Sequence, residues 1–171
     1  FNSPFYVASR VGKGGKIFKM IKLRSMKVNA DKSGVASTAN DDDRITPVGK
    51  IIRKFKFDEL SQLINVFNGS MSLVGPRPQV SQDVDLYTNR EHRLLTVRPG
   101  ITDYSSIVFS DEGEILEGSD DPDKDYNLLI RPWKSRLGLI YIDCQSFFLD
   151  IKLIALTILS FLNKQSALRL I

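Results

Sequence analysis

Histidine and cysteine are almost missing from this sequence: His92 and Cys144 are each alone of their kind. A lone thiol closes no internal disulfide, and without a Cys/His cluster there is no ligand set for structural zinc, so a reducing compartment is expected. Cys144 is expected to be a small apolar filler, and His92, between Glu91 and Arg93, a solvated side chain. Long apolar runs are missing too. No stretch reaches the roughly 18 residues of a spanning helix, so nothing in the chain is expected to cross a bilayer. Charge of one sign is not concentrated either: 24 Lys and Arg face 20 Asp and Glu, a net +4 spread along the chain. That balance offers no basic stripe for nucleic acid and leaves a phosphate-rich ligand or an anionic membrane surface as partners. Internal repeats and low-complexity tracts are lacking as well. With 171 residues, 42% of them hydrophobic, residues 1–171 are expected to form one domain around its own core.

Two runs rich in aromatic and branched side chains, Phe5–Val11 and Ile17–Leu23, flank Gly12-Lys13-Gly14-Gly15. Those glycines permit a left-handed turn, so a β-hairpin is predicted. Residues 29–43 are too polar to bury much surface, and a flexible surface loop is expected. Thr46-Pro47 reads as an N-cap with proline at the first helical position. Val48, Ile51, Ile52 and Phe55 then recur on one helix face, which is expected to be buried. A second helix follows, with Leu60, Leu63, Ile64 and Phe67 as its buried face and Asn68-Gly69 as its stop. Thr88 and Glu91 have capping-box spacing, giving a third helix over 89–96 that Arg98-Pro99-Gly100 ends. The acidic residues 111–124 read as loop. Two last helices, over 133–141 and 147–162, are separated at Asp143-Cys144-Gln145, with Ser146 capping the second. The nearly apolar residues 153–162 span about 15 Å, half the roughly 30 Å hydrocarbon core, so they suit a buried core helix or one lying in a membrane interface. Trp133 is open between the same two settings. The fold class expected is α+β: a helix-rich single domain with a small antiparallel β-hairpin.

Chemistry concentrates at Asp58-Glu59, two carboxylates opening the second helix, where backbone N–H groups favour the ionised form by about 0.3–1 kcal/mol. Ionised carboxylates serve as nucleophiles or metal ligands, although a plain helix cap accounts for the same two residues. Downstream, Arg77 is locked between Pro76 and Pro78, and Arg98 precedes Pro99-Gly100. Proline leaves its neighbours few backbone states, and a guanidinium fork matches phosphate oxygens, so rigid arginines beside carboxylates suggest phosphoryl chemistry.

Four blocks in order resemble the bacterial sugar transferase family, the monotopic phosphoglycosyl transferases. They are Arg10-Val11-Gly12 with Lys22-Leu23-Arg24-Ser25-Met26, Asp58-Glu59-Leu60 running on to Ser72-Leu73-Val74-Gly75-Pro76-Arg77-Pro78, Val97-Arg98-Pro99-Gly100-Ile101-Thr102, and Ser146-Phe147 with Leu149-Asp150-Ile151-Lys152. The resemblance implies transfer of a sugar 1-phosphate from a UDP-sugar to undecaprenyl (polyprenyl) phosphate with release of UMP. Such a step would begin the synthesis of an exopolysaccharide, an O-antigen or a glycoprotein glycan. It implies Asp58 as the nucleophile that carries the sugar phosphate and as the ligand of a magnesium ion, with Glu59 assisting, paired with Lys22. Arg77, Arg98, Lys22 and Arg24 are implied to bind phosphate. The family setting is the cytoplasmic face of the bacterial inner membrane, with one face of the domain on that leaflet, no nucleic acid involved, and a homodimer compatible. The family's re-entrant membrane helix has no counterpart after Phe1 and is expected upstream, Ser3-Pro4 not being its Ser-Pro kink.

Many members continue the third block with Gly-Trp-Ala-Gln and a later Gly-Arg-Asn, whereas this chain has Asp103-Tyr104-Ser105-Ser106. The sugar and part of the phosphate clamp are therefore left open. Two rival readings stand beside the enzyme. One is a non-catalytic membrane-surface module, in which Lys13, Lys16, Lys19, Lys22, Arg24 and Lys27 meet anionic lipid. The other is an inactive relative serving as a scaffold.

Overall fold

The computed structural model describes residues 3–35 and 37–171. Strands β1 (Phe5–Val11) and β2 (Ile17–Leu23) form the expected hairpin, Phe5 opposite Leu23 and Val11 opposite Ile17. Its turn carries Gly14 and Gly15 at φ 66° and 76°, a region that a β-carbon disfavours. One face of the hairpin buries Ala8 and Met20 against Met71. The polar loop that follows is tied down by Arg44, whose guanidinium donates to Asp42 and to the carbonyls of Ala30, Val35 and Ser37. A surface loop was expected there, and this partly buried cation ties several of its carbonyls to one side chain.

Helix α1 (Pro47–Lys54) starts as its sequence signals, with Thr46 accepting from the Gly49 N–H at 2.9 Å. The expected second helix is two short ones, α2 (Phe57–Leu60) and α3 (Leu63–Phe67), joined through Ser61 and Gln62. Gly69, at φ 78°, ends them as predicted. The buried face assigned to this region is wrong. Val48, Ile51, Phe55, Leu60, Leu63, Ile64 and Phe67 all face outward, Phe67 at 97% exposure. Buried instead are Asp58, Gln62 and Asn65. The reason is local: Asn65 takes the Ile21 N–H at 2.9 Å and gives its amide to the Lys19 carbonyl at 2.8 Å, so the polar side docks on β2.

Strand β3 (Ser72–Val74) lies parallel to β4 (Gly100–Thr102), a pairing absent from the sequence reading that joins the second block to the third. Backbones touch closely there: a β-carbon on Gly100 would fall 2.2 Å from the Gly75 nitrogen. Between the strands lie α4 (Ser81–Val84) and a 3-10 segment, Glu91–Thr96, opened by the predicted Thr88/Glu91 capping box. Asp103 caps α5 (Tyr104–Val108). The acidic stretch taken as loop contains two short turns, α6 (Glu112–Ile115) and α7 (Pro122–Asp125), and is anchored by Leu116, fully buried with Ala39 and Ile130.

A π-helical turn, Tyr126–Ile130, leads into α8 (Arg131–Cys144), followed by α9 (Phe147–Leu162), capped by Ser146, and α10 (Lys164–Leu168). Val74, Ile107, Tyr141, Leu153, Leu156 and Ala167 form the main core between these helices and β3. Each such side chain contributes about 1.5–3 kcal/mol. Helix α9 is a core helix on one side, where Leu153 and Leu156 are buried, while Phe147, Phe148, Phe161 and Leu162 are exposed. Cys144 is exposed at the end of α8 and fills no core, a correction that follows from its place where the chain leaves for α9. Trp133 is about half exposed, with the Arg136 guanidinium over its ring at 5.2 Å. Among the described residues no helix is long and apolar enough to cross a membrane. The whole is a helix-rich domain with a small antiparallel hairpin, as expected.

Candidate active site

Asp58 and Glu59 follow a sharp corner. Lys56, in the left-handed region at φ 54°, turns the chain from α1 into α2 at a cost of about 1–2 kcal/mol for a residue with a β-carbon. Asp58 does not cap its helix. Lys56 occupies the cap position without a side-chain bond, and Asp58 is 7% exposed, its Oδ1 buried with no hydrogen-bond partner. The stabilised anion expected from a helix start is therefore not what its surroundings favour. Burial pushes the Asp58 carboxyl above its usual range, opposed chiefly by the Lys22 charge. A helix of one turn has little dipole to set against that burial.

Glu59 points into a cluster of cations. Its Oε1 accepts from Arg77 Nη2 at 2.7 Å and lies 3.7 Å from Lys22 Nζ. Burial alone would raise the Glu59 carboxyl, but Arg77, Lys22 and Lys56 together outweigh it and hold the group below its usual value. Lys22 is pushed down by burial in spite of the Glu59 charge. Arg77, fixed between two prolines, also donates to the carbonyls of Gly100 and Ile101, so one side chain binds the carboxylate to β4. The strand–helix register does the rest. Ser61 donates to the Ile21 carbonyl at 3.1 Å and Asn65 grips Lys19 and Ile21, which sets Lys22 opposite Glu59.

Of the residues singled out in the sequence, Asp58, Glu59, Lys22 and Arg77 thus come together. Two do not join them. Arg98 is exposed and forms no hydrogen bond or ion pair among the described residues. Arg24 is turned to the start of the hairpin, where it donates to the carbonyls of Ser3 and Phe5 and lies 5.9 Å from the Tyr6 ring centre. Sequence reasoning missed Lys134, which pairs with Glu112 and whose charge also acts on Glu59. Behind Arg77 a cavity of about 20 Å³, lined in part by Tyr87, Arg131 and Lys134, has room for one water. Gln62 and Asn65 were missed as well. The signal was available: polar residues at 58, 62 and 65 share one helical face and interrupt an otherwise apolar stretch.

Among the described residues no group of three or more His, Cys, Asp and Glu side chains gathers as for a metal cage. Glu59 is committed to two cations, whereas the Asp58 carboxylate makes no ion pair or side-chain hydrogen bond among the described residues. Magnesium commonly takes one or two carboxylates and completes its shell with water and substrate phosphate, so the donor set fits an ion held through Asp58 and a bound diphosphate.

A family model described as bacterial sugar transferase matches residues 2–164. The uncharacterized sugar transferase EpsL of Bacillus subtilis is 36% identical over 154 residues, 90% of this chain and 67% of that protein. A UDP-glucose:undecaprenyl-phosphate glucose-1-phosphate transferase of Xanthomonas campestris pv. campestris is 35% identical over 169 residues, 95% of this chain and 32% of that one. An undecaprenyl-phosphate galactose phosphotransferase of Salmonella typhimurium is 34% identical over 164 residues, 87% and 33% of the two chains. The chain therefore spans about two thirds of the Bacillus protein and about a third of the other two. With the family model matching nearly the whole of residues 1–171, and with Glu59, Lys22 and Arg77 brought together beside Asp58 from separate blocks, the chain belongs to the bacterial sugar transferase family.

Proposed function

We propose that this chain is the catalytic unit of a phosphoglycosyl transferase, moving a sugar 1-phosphate from a UDP-sugar to undecaprenyl phosphate. The observation that carries the reading is the pairing of opposites at adjacent residues. Glu59 is held ionised by Arg77 and Lys22, while the Asp58 carboxyl beside it has a buried oxygen and no bond to protein. A carboxylate with few partners needs little desolvation before it attacks, and the neighbouring cations offset the negative charge of an approaching diphosphate.

In the first step an Asp58 oxygen bonds to the β-phosphorus, the phosphorus–oxygen bond to UMP breaks, and UMP leaves with the electron pair. The sugar phosphate stays on Asp58 as an acyl phosphate. An oxygen of undecaprenyl phosphate then bonds to the same phosphorus, and the bond to Asp58 breaks to restore the carboxylate. Magnesium, held by Asp58, would supply charge neutralisation of the diphosphate. Arg77 and Lys22 fix Glu59 at the edge of the reaction centre and add positive potential there. The product would begin an exopolysaccharide, O-antigen or glycoprotein glycan.

The setting we propose is the cytoplasmic face of the inner membrane. Its support is the outward apolar side of α1 to α3 with both ends of α9: Phe67, Phe148 and Leu162 are 97%, 82% and 83% exposed, and Phe55 about half. Lipid acyl chains are the natural cover for such side chains.

The test uses the full-length protein in membrane vesicles with magnesium and undecaprenyl phosphate. UDP-glucose, UDP-galactose and UDP-N-acetylgalactosamine are supplied in turn, and UMP is measured. Release with one donor, abolished in Asp58→Asn, is the expected result. A non-catalytic module would release none while still binding vesicles, and that outcome would end the proposal.

A further inference from the structure

Six buried side-chain atoms among the described residues lack a hydrogen-bond partner, and half of them belong to two residues: Oδ1 of Asp58 and both polar atoms of Gln62. The rest of that inward face is served. Asn65 bonds to Ile21, Lys19 and Ser70, and the Ser61 hydroxyl bonds to Ile21. Gln62, between them, is fully buried and bonds to nothing through its side chain. An unpaired buried amide group costs about 1–3 kcal/mol, and methionine would fill the space without that penalty. Docking on β2 does not call for an amide at 62, because Ser61 and Asn65 already provide it. What Gln62 shares its buried side with is Asp58, four residues earlier across the break between α2 and α3, and both are buried with polar atoms that lack a partner.

We infer that Gln62 is a positioning residue for Asp58: with donor bound, its amide N–H holds Oδ1, directly or through one water, and so presents Oδ2 to the phosphorus. The inference rests on the proposed function, since it says how the nucleophile of that reaction is aimed. In this role the buried Gln62 acts only through Asp58. A carboxyl group held at one oxygen keeps a single orientation, and a misplacement near 1 Å lowers a rate about 100-fold.

The experiment compares the full-length wild-type protein in vesicles with Gln62→Met, using whichever of the three donors above gives the fastest UMP release. In Gln62→Met, kcat should fall about 10–100-fold while KM for the donor stays within about twofold, the pattern of a lost aim without lost binding. The melting midpoint should stay level or rise, because an unpaired amide has gone. Gln62→Leu repeats the measurement if the methionine variant does not fold. Wild-type kcat in either variant overturns the inference. So does a joint change of kcat and KM with a lowered melting midpoint, or failure of both variants to fold, since each marks Gln62 as structural. No UMP release from wild type with any donor removes the proposed function itself, and the inference with it.

Discussion

Replacing Arg77 by methionine should separate its architectural work from any contact with substrate. The guanidinium makes a charge-assisted bond to Glu59 at 2.7 Å and donates to the carbonyls of Gly100 and Ile101. Loss of the charged bond costs about 1.5–3 kcal/mol, and each carbonyl left without its donor roughly another 1. Glu59 keeps Lys22 at 3.7 Å, and the Glu59 and Arg77 side chains are 25% and 16% exposed, so screening and water return part of the loss. A net destabilisation of about 2–4 kcal/mol remains, or about 5–15 °C in melting midpoint for a chain of this size.

The pH dependence carries its own sign. Glu59 lies below its usual value of 4.5 in the folded state, so its ion pair stabilises fully above that value and is lost as pH falls through the lowered one. The difference between wild type and Arg77→Met should therefore be widest at neutral pH and shrink on acidification below 4.5. Thermal melts followed by circular dichroism from pH 7 to about 3 read this directly. Arg77→Lys, which keeps the charge but cannot serve Glu59 and two carbonyls at once, should fall between the two. A neutral-pH difference under about 1 kcal/mol, or one that does not change with pH, would refute the assignment of Arg77 as the clamp on Glu59.

Gly100→Ala should lower stability by more than about 3 kcal/mol, since its β-carbon would meet the Gly75 backbone at 2.2 and 2.4 Å and main-chain atoms cannot rotate away; denaturant unfolding measures it. Asp58 shows the opposite sign from Glu59: with its carboxyl raised by burial, the folded state holds its proton more tightly than the unfolded chain does, so this group adds stability as pH falls. Asp58→Asn should accordingly melt at or above wild type at pH 7 even as UMP release disappears, and a lower midpoint would contradict the burial argument. Phe67→Glu and Phe148→Glu should each change folding stability by less than about 0.5 kcal/mol yet weaken flotation with anionic vesicles, whereas losses above about 2 kcal/mol would mean that these rings are packed against protein.

Local signals in the chain were reliable wherever a short stretch contained its own explanation. The hairpin register follows from two equal runs about a glycine turn, and the caps at Thr46, Thr88 and Ser146 follow from a hydroxyl placed ahead of three free N–H groups. Asp58 and Arg77 drew notice as a carboxylate pair and a proline-bound arginine. Their meeting at Glu59 was not legible, because it depends on β3 and β4, three residues each, which pair across more than twenty positions. Strands that short have no periodicity to read. Arg98 and Arg24 illustrate the converse. Both belong to blocks that resemble the family, yet one is exposed and the other is spent on backbone carbonyls near the N-terminus.

The largest misreading, the direction in which α1 to α3 face, has a physical root that also explains the site. Periodicity says which residues share a helix face, but it says nothing of what covers that face. In water the apolar side must turn inward, and that premise predicted a buried Leu60, Leu63, Ile64 and Phe67. Here the opposite side is gripped by Asn65 and Ser61 on β2, bonds that are strong only because they are shielded from solvent. Turning the polar side inward is what brings Asp58 and Glu59 against Lys22 and Arg77, and it leaves the apolar side for a non-aqueous neighbour. If that neighbour is lipid, as we propose, a single orientation of two short helices both docks the domain on the membrane and keeps Glu59 against its cations. Reversing it by making the outer face polar should detach the domain without disturbing the Glu59 cluster, whereas breaking Asn65 should scatter that cluster and leave the outer face apolar.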